Sequence, residues 1–431
     1  MSRASVVAVR HAAPLISAPR PALKPRPQSG SAVRRQTPQQ LRQLAAKARS
    51  PSSLGSLPGP SKRPPTAPEG RLLAGYAKIK KLGTGGFGTV WEVAEAATDA
   101  RYALKQIPKD DALTSSAVVS AIVEARVGKK LFPQTVVVGD HLGSLVAPSA
   151  ASEAATAPEA TRYIAQLYRV VETKHDIWLL FEQGGDTLHN ALFEIKGDFH
   201  QGSRTYKIVH RPLYLAMREN VCILKALLRQ LIGSVQTLGE HHLVHADIKP
   251  DNILVSHDIL NGKMQVRTKL IDFGSAFSSR SPRLSSATTP EYVPPDILEL
   301  LRIKQNANHV KVYFEEHCAP HAFDMWSVGC VFLEIACGVP IWFSFKSRVE
   351  GTAQWVTGLM SAQGRRPDKI AQRQLYVAEN VEKCIRAFPG MNIDSKRWTH
   401  GVALLQRMLD VSPTQRISPL EALAHPFLYQ A

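Results

Sequence analysis

From Tyr76 onward, polar and apolar positions alternate with the period of strands. Ala77-Lys-Ile-Lys-Lys-Leu82, Thr89-Val-Trp-Glu-Val93 and Tyr102-Ala-Leu-Lys-Gln-Ile107 each read as one strand. Gly83 to Gly88 and Thr98-Asp99 supply the turns between them. Ser115 to Leu131 reads as a helix, and Ile164 to Glu172 and Asp176 to Glu182 as two further strands. Residues 133–160 run out in Ala, Ser, Pro and Glu and are expected to be a low-complexity loop insertion. Beyond Gly184-Gly185 the period becomes helical: Leu224, Leu227, Leu228, Leu231, Ile232, Val235 and Leu238 form one apolar stripe. The pattern therefore predicts a small strand-rich segment joined near Gln183 to a larger helical one, an α/β arrangement without internal repeats.

Composition changes that picture only at the N-terminus. Apolar residues make up 44% and charged residues 21% of the 431, ordinary for a globular chain. The most apolar stretch, Ala322 to Phe343, is interrupted by Asp324 and Glu334, which argues against stable membrane insertion. Cys222, Cys318, Cys330, Cys337 and Cys384 form no C-x-x-C pair, so neither a disulfide framework nor a zinc finger is expected, and a reducing, intracellular compartment is. Residues 1–68 hold nine Arg, three Lys, 12 of the 29 prolines and no acid, so they carry +12 of the net +17 and leave +5 for the rest. Such a tail cannot bury a core and is expected to be disordered, with Leu41 to Arg49 its one helical hint. Three readings of it stay open: an organelle transit peptide (plastid or mitochondrion), a basic arm for anionic partners including nucleic acid, and a plain solvated tail of a cytoplasmic or nuclear protein.

The chemistry-bearing motifs lie between residues 83 and 274. Gly83-Thr84-Gly85-Gly86-Phe87-Gly88-Thr-Val90 is G-x-G-x-x-G-x-V, a pattern that lets backbone approach phosphate. A strand follows it, whereas a dinucleotide fold needs a helix there. Lys105 alternates with Ala103 and would share its face beneath the glycine hairpin, and Glu124 in the following helix is the obvious carboxylate to hold it. His245-Ala-Asp247-Ile-Lys249-Pro-Asp251-Asn252 precedes Asp272-Phe273-Gly274. A base, a cation and two metal-ligand oxygens on adjacent loops are the groups that phosphoryl transfer requires.

With these motifs in this order, the chain from about Tyr76 to Phe427 resembles the eukaryotic protein kinases. The lysine two residues after Asp247 is similar to the serine/threonine branch. The resemblance implies a bilobal fold: a small antiparallel sheet with one helix (about 76–183), then a mainly helical lobe (about 184–427), with ATP and Mg2+ between them. It implies that Gly83 to Gly88 cover the ATP phosphates, and that Lys105 contacts them while paired with Glu124. By the same resemblance Val90, Ala103 and Leu254 sandwich the adenine, with Phe181 as gatekeeper and Glu182 to Gly184 as hinge. Asp247 would be the catalytic base, Lys249 would lie against the γ-phosphate, and Asn252 and Asp272 would hold the metal. Thr289-Pro-Glu-Tyr-Val-Pro-Pro-Asp296 resembles the end of an activation segment that contains Ser285. Asp324 resembles the start of the central helix, and Arg416 the partner of Asp296. A pseudokinase, binding without catalysis on the same fold, is the alternative, disfavoured because every catalytic position is filled.

Three departures from the family pattern stand out. Ala246 replaces an arginine common before the catalytic Asp, so activity without activation-segment phosphorylation is expected. Asp296 replaces a longer glutamate. Residues 133–160, 196–217 and 297–320 look like insertions, and 342–397 is long. The catalytic loop also resembles the pre-mRNA-processing and dual-specificity branch, yet no tyrosine lies between Asp272 and Glu291. His245 reads as a packing residue rather than a zinc ligand. Asp186, Asp251 and Glu291 would border a peptide groove and favour basic substrates, or equally be solvated surface carboxylates.

Overall fold

The computed structural model describes residues 73–85, 88–109, 116–139, 143, 161–200, 203–285, 288–302, 307–344, 348–350 and 367–429. The tail 1–68, Gly86, Phe87, Ser286 and most of 133–160 lie outside the described residues. The alternating segments form one sheet from β1 (Tyr76–Gly85), β2 (Gly88–Glu95), β3 (Arg101–Pro108), β4 (Val136–Val138), β5 (Leu167–Glu172) and β6 (Asp176–Glu182). Their order is β1-β2-β3-β6-β5-β4, antiparallel except for β4 beside β5. Helix α1 (Ser116–Leu131) packs on this sheet through Val118, Ala121, Ala125 and Leu131, an i, i+3, i+4 stripe.

Strand β4 corrects the reading of 133–160 as loop throughout. Three consecutive valines are β-branched and fit a pleated edge, and they pair in parallel with Arg169 to Val171. The expected strand from Ile164 is also shorter. Ile164 bridges to Leu270 in the other lobe instead, with Ala165 N donating to Leu270 O at 3.0 Å.

Past the hinge the chain is not helical at once, contrary to expectation. β7 (Asp186–Thr187) leads to a hairpin of β8 (Phe193–His200) and β9 (Ser203–His210), joined in parallel by β14 (Arg348–Val349). Within 196–217 the described residues are therefore mostly strand and helix, anchored where the rings of Phe193 and Tyr214 lie 5.4 Å apart. Helix α2 (Pro212–Glu219) follows, then α3 (Val221–Glu240), capped by the Asn220 side chain on Cys222 N. All seven residues of the predicted stripe are buried, each contributing about 1.5–3 kcal/mol. This helix is long and apolar enough to cross a membrane, but two thirds of it is buried in the fold.

Next come β10 (Leu243–Val244), the hairpin β11 (Ile253–Leu260) and β12 (Lys263–Leu270), and β13 (Phe277–Ser278). Helices α4 (Pro295–Arg302), α5 (Ala307–Glu316), α6 (Pro320–Cys337) and α7 (Pro367–Glu379) follow. Ala322 to Cys337 of α6 is buried all round, as a helix apolar on every face must be. Its few polar residues, Asp324, Ser327 and Glu334, are where the loops of the site attach.

Candidate active site

Register decides which side chains of the sheet meet. Lys105 on β3 lies opposite Val90 on β2 and Leu179 on β6, while Ala103 lies opposite Phe181. The Lys105 ammonium donates to Glu124 Oε2 at 2.7 Å and to Asp272 Oδ1 at 2.9 Å. Lys105 is 12% exposed and Glu124 2%, so the cation is nearly dry. Burial alone would lower its pKa, but the two carboxylates outweigh burial and hold it above the ordinary lysine range. Burial works against ionisation of Asp272 too, and there Lys105 wins and holds the carboxyl below its ordinary value.

Two glycines make these approaches possible. Gly88, at φ +143°, would put a Cβ 2.2 Å from Gln106 O, so the hairpin can close on β3 only without a side chain. A Cβ on Gly274 would sit 1.9 Å from Ser120 Oγ of α1. Its absence lets α1 settle against the Asp272 turn and brings Glu124 within reach of Lys105. Asp272 itself adopts φ 64°, ψ 69°, a left-handed conformation costing about 1–2 kcal/mol outside glycine. Phe273 is buried with its ring 4.6 Å from that of His245. His245 Nε2 meets Ile271 O at 3.0 Å, which bears out its reading as a packing residue.

The loop 245–252 hangs from α6. His245 N and Ala246 N donate to the two oxygens of buried Asp324, at 2.8 and 3.0 Å. Burial pushes the Asp324 carboxyl up, opposed by His245 and these two amides. Asp247 is then surrounded by donors. Its Oδ2 accepts from Lys249 Nζ (2.8 Å) and Asn252 Nδ2 (2.9 Å), and its Oδ1 from Thr289 N (2.9 Å). Lys249 Nζ also donates to Thr289 Oγ1 at 2.6 Å. Asn252 Nδ2 donates besides to Asp247 O, so its amide nitrogen is spent and its carbonyl oxygen is the group left for a ligand. That oxygen and the Asp272 carboxylate are hard donors, as magnesium requires.

The hinge side is also assembled. Leu254 lies in β11 beside Thr187, and a Cβ on Gly184 would come 2.7 Å from its Cδ1. Glu182 turns its carboxylate to Lys269 Nζ at 2.8 Å and accepts from Gln166 N. In the glycine hairpin, Gly83 pairs with Val90, Thr84 with Thr89 and Gly85 with Gly88. Ser285 O accepts from Thr288 Oγ1 at 3.4 Å.

Two residues that sequence reasoning did not assign to the site support this core. Tyr313, on α5 within the supposed insertion 297–320, donates its hydroxyl to Asp296. Asp296 also meets fully buried Arg416 at 3.2 Å, so the shorter carboxylate keeps its expected partner and gains a second. Glu334 accepts from the Tyr292 hydroxyl at 3.1 Å on both oxygens. It had a sequence signal, as an acid inside an apolar run. Glu291 is buried, so it is not a solvated carboxylate, whereas Asp186 and Asp251 are exposed.

Comparison with known proteins gives the family. The family model for the protein kinase domain matches residues 153–428, more than half of the chain. The match begins downstream of the glycine hairpin, Lys105 and Glu124. Among curated proteins, cyclin-dependent kinase C-2 of Oryza sativa subsp. japonica is 26% identical over 367 residues, covering 81% of this chain and 58% of that relative.

Proposed function

Since the chain belongs to the protein kinase family, we propose that it transfers the γ-phosphate of ATP to serine or threonine hydroxyls of protein substrates. The observation that carries this reading is the set of donors around Asp247, with Lys249 on one carboxylate oxygen and the Thr289 amide on the other. In this reading Asp247 orients the attacking hydroxyl and takes its proton, and Lys249 lies over the γ-phosphate. Lys105, kept charged by Glu124 and Asp272, grips the α- and β-phosphates beneath the Gly83–Gly88 hairpin. Val90, Ala103 and Leu254 enclose the adenine, with Phe181 behind it and the 182–184 backbone at its edge. Asn252 and Asp272 would hold magnesium, which neutralises phosphate charge when bound. The exposed Asp186 and Asp251 favour basic residues around the acceptor.

The test is transfer from radiolabelled ATP to a peptide library. Asp247→Asn keeps the shape of the side chain and loses the base, so turnover should fall by roughly 10²–10⁴ with ATP affinity little changed. Phosphorylation by this variant at the wild-type rate would remove Asp247 from the mechanism.

A further inference from the structure

Helix α7 sends Gln374 into the segment that follows Thr289. Gln374 is fully buried, and its Nε2 points at Val293 O (2.6 Å), Glu291 O (3.2 Å) and Pro290 O (3.3 Å). The remaining carbonyl of that run, Tyr292 O, accepts from Ser327 Oγ at 2.8 Å. Buried carbonyls need donors, and this turn spends its own amides internally, Tyr292 N on Thr289 O and Val293 N on Pro290 O. A carboxamide suits the place: it brings two hydrogens and no charge. Its own Oε1 has no partner among the described residues. A buried acceptor left unpaired is a cost, which marks the donor end as the part the fold requires.

We infer that Gln374 is a positioning residue for phosphoryl transfer: it fixes the Pro290–Val293 backbone and thereby sets Thr289 against Asp247 and Lys249. The inference rests on the kinase reading above. The lever is short. Thr289 adjoins the clamped turn through Pro290, whose ring restricts φ, and Thr289 contributes both the amide on Asp247 Oδ1 and the hydroxyl on Lys249. A shift of the turn would therefore move the base and the cation together, and misplacement on that scale is costly to rate.

Gln374→Met keeps the length and loses both hydrogens. It should lower kcat for a peptide acceptor at least tenfold and leave KM for ATP within twofold. Gln374→Glu would stand fully buried against three carbonyl oxygens, a place that favours its neutral form, so at neutral pH its O–H can donate to Val293 O and it should keep more activity than the Met variant. As pH rises and it ionises, activity relative to wild type should fall, a response the Met variant cannot show. Thr289→Val combined with Gln374→Met should cost less than the product of the two single losses, because both act through Thr289. Wild-type kcat in a folded Gln374→Met protein, or fully multiplicative losses, would overturn the assignment. Should Gln374→Met fail to fold, the pH response of Gln374→Glu decides. If wild type transfers no phosphate, the kinase reading fails. Hydrogen exchange still judges the clamp: the amides of Tyr292 and Val293 should exchange faster in Gln374→Met, or in Gln374→Glu once it ionises, while the other described residues are unchanged, and unchanged exchange there would refute it.

Discussion

Ala246 stands at φ +65°, buried, with its amide on Asp324. Around it lie Val244, Phe277, Val293, Ile297, Phe314 and Phe323, an apolar cluster where a basic pocket would accompany an arginine. Not far along the same helix that carries Asp324, Glu334 illustrates what burial does to an acid. Burial raises its pKa to about 8; Asp251 adds to the rise, while the Tyr292 hydroxyl and backbone amides oppose it. An unfolded glutamate titrates near ~4.3, so between that value and 8 the folded chain holds a proton the unfolded chain has lost. Stability from this group is therefore full below the unfolded value, declines as pH rises through the interval, and is lost above 8. Glu334→Gln should abolish that slope. In urea unfolding at pH 5 and pH 8, wild type should lose on the order of a few kcal/mol more than the variant. Parallel pH dependence in both proteins would contradict the buried, protonated state.

At the scale of elements, α5 within 297–320 is a working part. Helix α5 sends Tyr313 to Asp296 and stacks Phe314 edge-on against Phe277, 5.3 Å between ring centroids. Phe277 and Val293, near the two ends of the stretch from Asp272 to Asp296, are thus held by apolar packing. We expect the Ser285→Ala, Ser286→Ala, Thr288→Ala triple variant, made in bacteria and phosphatase-treated, to keep activity within about tenfold, or ~1.4 kcal/mol of barrier. A larger loss would mean that a phosphate and some cation share the task. Phe314→Ala should do what the triple variant does not. Removing a buried ring costs about 3–5 kcal/mol, and here it should lower both the melting temperature and peptide turnover.

For the whole molecule, the charge division separates two tasks. Residues 1–68 hold the basic excess, while the described fold builds its sites from Tyr76 onward. Deleting 1–68 should leave kinase activity and melting temperature nearly unchanged, and should relocate the protein in cells if the tail is a transit signal. An unchanged location would reject that reading and leave the solvated tail. The positions of five N-terminal strands, the α3 stripe and the motifs at 83–90, 105, 245–252 and 272–274 were legible from sequence alone. Periodicity reports which face is buried, and phosphoryl-transfer chemistry needs fixed residue types at short, local spacings. Beyond the pairs Lys105–Glu124 and Asp296–Arg416, the partners were not legible. Lys105 and Asp272 meet across 167 positions, and Gln374 reaches Val293 across 81. The fates of β4, the β8–β9 hairpin and α5 were hidden for the same reason. Hydrophobic pattern says that a side chain is covered but not by what, so the clamp on Thr289, the second partner of Asp296 and the raised pKa of Glu334 were decided only when distant elements packed around α6.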